Sequence, residues 1–211
     1  MKANNKFIIT QLVFLLITIP FLIVPKGTVE LWVNNYHFTV LDYFFKIITY
    51  LGHGTTAVII GIILLLFNYY RTIIFVSAII LNTAIIQGLM KNWLFKDIKR
   101  PKAFFNDDIV LNFVDGVSVH TQHSFPSGHT GLAFVIFLFL ASIAPKRYYL
   151  PLFFIAIITA FSRVYLLQHF FMDIYVGSIV GSVSVIVTIF LFNRYSNLNN
   201  IQKWNRGLLF K

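Results

Sequence analysis

Apolar residues occur along most of this chain in long uninterrupted runs, rather than in the short periodic groups of a soluble domain. A helix needs about 20 mostly apolar residues to cross a bilayer. The pattern predicts six membrane spans, at residues 7–24, 55–70, 72–90, 130–144, 149–167 and 174–192. The second and fourth runs are short, and we expect both to extend into their flanking residues. The expected fold is an all-α, integral membrane six-helix bundle.

The composition agrees with this pattern and excludes a soluble protein. The 211 residues are 58% hydrophobic and 11% charged, with a mean hydropathy of +0.78. We expect one domain over residues 1–211, with a core that carries the motifs at 91–173. The first run is long for a signal peptide and no small-residue cleavage site follows it, so a retained first span is expected. The absence of cysteine excludes a disulfide framework and a thiolate metal site.

Two segments between the predicted spans are long enough to form structure. Segment 39–51 places Asp42, Lys46 and Thr49 on one helical face, which is typical of an interfacial helix on the outer side. A simple extension of the second span accounts for the same pattern equally well. Segment 91–129 is the longest polar stretch, and long ordered loops tend to carry function. We expect it to form an active-site loop.

The charged residues suggest an orientation for the bundle. The net charge of +10 favours contact with anionic lipid headgroups over nucleic acid, for which no motif is visible. With the N-terminus in the cytoplasm, nine of the 17 basic residues lie inside and all seven acidic residues lie outside. Positive charge on the inner side is the usual bias. The loop at 91–129 would then face outward.

A polar cluster interrupts the last two apolar runs. Arg163, His169 and Asp173 are the only Asp, Glu, Lys, Arg or His residues between Tyr149 and Arg194. Such groups inside a membrane segment indicate a functional site by default. Asp173 follows His169 by four residues, so the two share one helix face and the carboxylate can hold one imidazole nitrogen. His169 is therefore a candidate nucleophile.

A second cluster, Pro126-Ser127-Gly128-His129, directly precedes the apolar run at 130. Free N–H groups and the positive end of the helix dipole make such a terminus suitable for binding phosphate. The alternative is a plain turn with a helix cap. This turn, the His169 segment and Arg100-Pro101 are expected on the same side of the membrane, which favours a shared site.

Together these motifs resemble the type 2 phosphatidic acid phosphatase family. The resemblance is carried by Lys91…Arg100-Pro101, by Pro126-Ser127-Gly128-His129 and by Ser162-Arg163-x5-His169-x3-Asp173. The first motif departs from the pattern, because eight residues separate Lys91 from Arg100 where the family usually has six. Lys96 or Lys99 could supply the lysine charge instead.

The resemblance implies a membrane lipid phosphatase that needs no metal or cofactor. His169 would attack phosphorus and form a phosphohistidine, while Asp173 orients its ring. His129 would act as the general acid and base. The groups expected to surround the phosphate, here called the anion cup, are Lys91, Arg100, Ser127, the Gly128 amide and Arg163.

The implied partner is a lipid phosphate at the outer, periplasmic face of a bacterial inner membrane, with surrounding lipids and no obligate protein partner. Candidate substrates within the family's range are undecaprenyl diphosphate, phosphatidylglycerol phosphate, phosphatidate and lipid A. An alternative function is a non-catalytic membrane transporter or binding protein that keeps the same anion cup.

The remaining histidines and acidic residues are interpreted as loop residues. His37, His53, His120 and His123 lack the spacing of a zinc site, although His123 lies close enough in sequence to approach the anion cup. The pair Asp107-Asp108 does not follow a calcium-binding pattern and is expected in a solvated loop.

The spacing of Arg163 and His169 predicts a helix break. Six residues place them about 240° apart on a continuous helix, too far around to face one phosphate. The fifth span should therefore break near Leu167 and Gln168.

Overall fold

The computed structural model describes residues 1–106, 108–195 and 205–209. Asp107 of the predicted loop pair lies outside the described residues, as do Lys203 and Lys211, two of the nine basic residues expected on the cytoplasmic side. The helices in chain order are α1 (Asn5–Thr18), α2 (Pro20–Ile23), α3 (Thr28–Asn34), α4 (Thr39–Ile48), α5 (Gly54–Phe67), α6 (Tyr69–Thr83), α7 (Pro101–Phe104), α8 (Gly128–Ile143), α9 (Tyr149–Tyr165) and α10 (Phe171–Tyr195). A π-helical segment, Ala84–Leu94, continues α6, and 3-10 turns occupy Thr49–Gly52 and Lys146–Tyr148.

The helices agree with an integral membrane fold. Within the described ranges, three helical stretches are long and apolar enough to cross a bilayer: Tyr69–Leu94, Lys146–Tyr165 and Phe171–Tyr195. A fourth crossing results if the bent pair Thr39–Gly52 and Gly54–Phe67 is counted as one span, while α1 and α8 are shorter apolar helices. The all-α membrane fold is confirmed, and the count of six crossings stays a prediction.

Proline and capping residues set helix ends that hydropathy alone did not show. The first predicted span is divided at Ile19, because Pro20 lacks the N–H that would continue the helix and its ring disfavours the preceding turn. The run at 130–144 extends into its flanking residues only at its start, where α8 gains Gly128 and His129 after the N-cap Ser127; at the other end α8 stops at Ile143, before Pro145. It is 16 residues long.

Segment 39–51 forms a helix separate from α5. The axes of Thr39–Gly52 and Gly54–Phe67 meet at 51°, so α4 is not a straight extension of the second span. Phe45 is buried on its inner face, with its ring centroid 4.3 Å from that of Tyr165. This contact fixes α4 against the end of α9. Its position in the interface plane stays a prediction.

Close contact between α8 and α10 positions the site. A Cβ on Gly177 would lie 2.7 Å from the Ser127 carbonyl oxygen, and a Cβ on Gly181 would collide with the Gly131 carbonyl. Only glycine lets the two backbones approach this closely. The Ser127 N–H accordingly donates to the Asp173 carbonyl at 2.9 Å. The contact therefore joins the second and third motifs.

The predicted helix break is confirmed. The α9 helix ends at Tyr165, and Leu167 adopts a left-handed conformation with φ of 51°. The N–H groups of Gln168 and His169 both donate to the Arg163 carbonyl, at 2.9 and 3.1 Å. This tight turn lets Arg163 and His169 face the same cavity before α10 begins at Phe171.

Candidate active site

A cavity of about 660 Å³ opens at the end of the bundle that carries the long polar loop. Six of the eight predicted site residues line it: Lys91, Arg100, Gly128, His129, Arg163 and His169. The other two, Ser127 and Asp173, are buried directly behind this lining. Three segments distant in the chain therefore meet at one end of the molecule.

His169 is held in a defined orientation by Asp173. The ring Nδ1 lies 3.1 Å from Asp173 Oδ2, across the i to i+4 spacing noted in the sequence. The same carboxylate oxygen accepts the Phe170 N–H at 3.0 Å and the Ser124 hydroxyl in a short hydrogen bond. With Nδ1–H directed to the carboxylate, Nε2 carries the lone pair. The ring is thereby prepared for nucleophilic attack through Nε2.

Burial and neighbouring charges favour the neutral form of His169. Burial lowers the pKa of the imidazole well below its ordinary value, since the charged form loses its hydration. The positive charges of Arg100, Lys91 and Arg163 lower this pKa further. The ring is therefore uncharged at neutral pH, as a nitrogen nucleophile must be.

Three buried cations surround the cavity. Lys91, Arg100 and Arg163 are only 5%, 8% and 7% exposed. Among the described residues, none of them forms a salt bridge, and the Nε of Arg163 makes no hydrogen bond although it is buried. Buried charge is costly unless it is compensated. The site is thus arranged to receive an anion.

The two guanidinium groups are anchored by neutral partners. Arg163 donates from Nη1 to the Thr49 hydroxyl at 2.6 Å. Arg100 donates from Nε to the Gln122 carbonyl at 2.9 Å and from Nη1 to the Gln168 side-chain oxygen at 3.1 Å. Neutral acceptors orient both groups and leave their positive charge available to a ligand.

The first turn of α8 contributes Gly128 and His129. Ser127 is the N-cap, with its hydroxyl oxygen accepting the Thr130 N–H at 3.3 Å and the Thr130 hydroxyl at 3.0 Å. Ser127 is fully buried and does not line the cavity, so its contact with phosphate stays a prediction. The ring of His129 faces the cavity, and its centroid lies 5.5 Å from that of His53.

Lys91, rather than the two alternative lysines, reaches the cavity. Lys96 and Lys99 are exposed and do not line it. Lys91 lies in the π-helical segment Ala84–Leu94, which has more residues per turn than an α-helix. The unusual spacing of the first motif thus coincides with an unusual helix, and such segments are frequent at functional sites.

Several supporting residues were not predicted from the sequence. Ser124, Gln168, Thr49 and Gln122 hold the site residues through the hydrogen bonds described above. Glu30 accepts the Phe171 N–H at 2.7 Å and so caps the start of α10. Most of these contacts join segments far apart in the chain, and no local spacing signals them. The polar face of segment 39–51 was the one available hint, since it contains Thr49.

The other histidines differ in their positions. His53, His120 and His123 line the cavity, whereas His37 pairs with Asp42 at 2.9 Å against the Tyr165 ring. Within the part of the chain that the structure describes, no group of three His, Cys, Asp or Glu residues is arranged to hold a metal. The approach of His123 to the site agrees with its position just before the second motif.

A family model described as the PAP2 superfamily matches residues 71–196, which include every motif described above. The chain belongs to the PAP2 superfamily. The match covers more than half of the chain and extends from the start of α6 to the end of α10. No curated protein sequence is similar enough to this chain to count as a match.

Two solved structures of similar architecture support the PAP2 assignment. LpxE from Aquifex aeolicus is 27% identical, with a TM-score of 0.69, over 78% of this chain and 94% of that one. A transmembrane PAP2 type phosphatidylglycerolphosphate phosphatase from Bacillus subtilis is 20% identical, with a TM-score of 0.65, over 94% of this chain and 100% of that one. At this identity the second likeness shows the shared fold.

Proposed function

We propose that this PAP2 membrane protein is a lipid phosphatase that removes a terminal phosphate or diphosphate through a phosphohistidine at His169. The observation that carries the proposal is the set of three buried cations, without counter-ions among the described residues, around the same cavity as His169. A phosphate dianion compensates several positive charges at once, and the planar forks of Arg100 and Arg163 suit its oxygens.

The first chemical step transfers the phosphoryl group to the enzyme. Nε2 of neutral His169 attacks phosphorus as the bond to the leaving oxygen breaks, and Asp173 stabilises the imidazolium that develops. The anion cup binds the equatorial oxygens, whose charge redistributes in the transition state. His129 donates a proton to the departing alcohol or phosphate.

The second step returns the enzyme to its initial state. His129, now neutral, accepts a proton from a water molecule that attacks the phosphohistidine. The phosphorus–nitrogen bond breaks, inorganic phosphate forms, and His169 recovers its lone pair. The three cations supply the charge stabilisation throughout, so we expect activity without a metal ion.

The surroundings of the cavity favour an amphiphilic substrate. The site lies at the end of a bundle of apolar helices, so the phosphate can occupy the cup while the tails remain among lipids. We propose one functional domain over residues 1–211, with its motifs at 91–173, acting at the periplasmic face of the inner membrane. Phosphatidylglycerol phosphate, phosphatidate, undecaprenyl diphosphate and lipid A remain the candidate substrates.

Transfer of label from a ³²P-labelled lipid phosphate tests the proposal. We expect an acid-labile, alkali-stable phosphoenzyme and release of labelled phosphate from the wild type. His169→Ala should give neither, because the accepting nitrogen is absent. Tyr148→Phe, a change in the 3-10 turn before α9, is the matched control and should retain both.

Two results would contradict the proposal. Phosphate release by His169→Ala at the wild-type rate would exclude His169 as the nucleophile. Tight binding of lipid phosphate by the wild type without any turnover would favour the non-catalytic transporter or binding protein.

A further inference from the structure

The cavity extends beyond the anion cup along α6 and the start of the π-helical segment, where Ile86 and three uncharged polar side chains line it. Asn82, Thr83 and Gln87 line this part. All three belong to Tyr69–Leu94, a stretch apolar enough to cross the membrane. Polar side chains in such a stretch commonly serve binding or catalysis. They have no role in the phosphoryl-transfer steps proposed above.

Asn82 carries an unused hydrogen-bonding atom. The side chain is only 3% exposed, and its Oδ1 has no hydrogen-bond partner among the described residues. An amide that merely joined two helices would use this oxygen in an interhelical bond. A buried acceptor left without a donor costs stability. Asn82 is therefore arranged for a partner beyond the described residues, such as a bound ligand.

The position of the Asn82 amide is fixed by α8. A Cβ on Gly131 would lie 2.6 Å from Asn82 Oδ1 and 3.3 Å from Asn82 Nδ2. A Cβ on Gly128 would similarly lie 2.9 Å from Gln87 Nε2. The two amides thus lie beside the first turn of α8. The Gln87 amide is next to Gly128 of the anion cup, and the Asn82 amide is next to Gly131, three residues further along α8.

The direction from Gln87 to Asn82 leads away from the cup into the membrane segment. Gly131, beside Asn82, follows Gly128, beside Gln87, by three residues, or about 4.5 Å along α8. A leaving group that followed this path from a phosphorus near Lys91 and His169 would pass both amides. The amides therefore meet the part of the substrate next to the scissile oxygen.

We infer that Asn82 and Gln87 form a subsite for a hydroxyl group on the leaving alcohol. The inference rests on the proposed phosphatase function and names its substrate class: lipid phosphates whose phosphate is carried by a polyol or a sugar. A hydroxyl can donate to Asn82 Oδ1 and accept from an amide N–H at the same time. Ionised phosphate oxygens only accept, so the second phosphate of a prenyl diphosphate would leave Oδ1 unpaired.

A matched pair of substrates tests the inference. One is 1-oleoylglycerol 3-phosphate, which has a free hydroxyl beside the carbon that bears the phosphate. The other is its 2-deoxy analogue, with the same charge, tail and chain length. We expect the wild type to prefer the hydroxylated substrate about tenfold in kcat/KM, the magnitude of one buried hydrogen bond.

Variants show whether Asn82 is the source of that preference. In Asn82→Leu the ratio of the two kcat/KM values should fall toward one, because leucine fills similar space without polar atoms. The ratio is measured within one preparation, so the folded fraction cancels. Asn82→Ala gives the same measurement if leucine does not pack. Ser184→Ala, which removes a hydroxyl bonded to Val180 within α10, is the control and should keep the wild-type ratio.

The outcomes separate the inference from the function on which it rests. Equal wild-type rates on the two substrates, or a full preference retained in Asn82→Leu, would overturn the hydroxyl subsite and leave the phosphatase intact. If the wild type hydrolysed neither of these substrates and no other lipid phosphate, the proposed function and this inference would both be overturned.

Discussion

Asp173 shows how a single side chain organises the site. Its Oδ2 accepts from the His169 ring, the Phe170 N–H and the Ser124 hydroxyl, while its carbonyl accepts the Ser127 N–H. The spacing of His169 and Asp173 made the first contact predictable. Those with Ser124 and Ser127 depend on the long loop folding back onto α10, which no local pattern reveals.

The protonation state of His169 gives a prediction for the pH profile. Burial is the main cause of its lowered pKa, and the positive charge of Arg100 is a further cause. Replacing Arg100 by glutamine removes that charge, so protonation becomes easier and the pKa of His169 rises. We expect the acid limb of kcat/KM to move upward by a few tenths to about one pH unit.

Arg100→Lys is the control for this measurement. It keeps a positive charge but loses the planar fork, so KM should rise while the acid limb stays near its wild-type position. The substrate's own phosphate titration is common to all three enzymes and cancels in the comparison. An unchanged acid limb in Arg100→Gln would show that Arg100 does not influence the nucleophile.

At the scale of the helix, the sequence predicted the apolar elements better than their irregularities. The break between Arg163 and His169 was predictable, because an ideal helix could not present both to one phosphate. The π-helical segment Ala84–Leu94 was not, since hydropathy cannot distinguish the number of residues per turn over a few turns. The sequence permits both a bend and a straight continuation before Gly54, because α4 and α5 are both apolar.

The contact of α8 with α10 makes a second prediction. A Cβ on Gly177 would lie 2.7 Å from the Ser127 carbonyl oxygen and 3.2 Å from Thr130 Cβ. Gly177→Ala must therefore separate the two helices and shift the turn that carries His129. We expect a loss of about 1–3 kcal/mol in stability and reduced kcat, measured by thermal unfolding in detergent and by phosphate release.

Gly61→Ala is the matched control within another apolar helix. A Cβ on Gly61 meets no atom within 4 Å, so this change should leave activity intact and raise stability by at most about 1 kcal/mol. If Gly177→Ala had the same unfolding temperature and the same rate of phosphate release as Gly61→Ala, close backbone contact would not be what holds the two motifs together.

For the whole molecule, the distribution of polar groups gives the bundle two different ends. One end carries the cavity with its three buried cations, and the other carries the short turns at Lys146–Tyr148 and Asn68. The sequence predicted this separation. The three motifs lie at the connections that follow the third and the fifth predicted spans, and both connections fall on the same side of the membrane. Asn82 and Gln87 were hidden in an apparently apolar run, since their role depends on which neighbour they face.

The orientation in the membrane provides the last prediction. The natural chain has no cysteine, so one introduced thiol can be labelled without background. Val110 is 87% exposed in the loop at the cavity end, and Tyr148 is exposed at the opposite end. In spheroplasts of a bacterial host, a membrane-impermeant maleimide should label Val110→Cys directly and Tyr148→Cys only after permeabilisation.

The cysteine-free wild type is the control, and it should remain unlabelled under both conditions. Labelling of Tyr148→Cys in intact spheroplasts with protection of Val110→Cys would place the cavity in the cytoplasm. The substrate would then come from the inner leaflet. The contacts of His169, the cations and the amide subsite are independent of the leaflet, so such a result would revise the lipid pool and leave the chemistry unchanged.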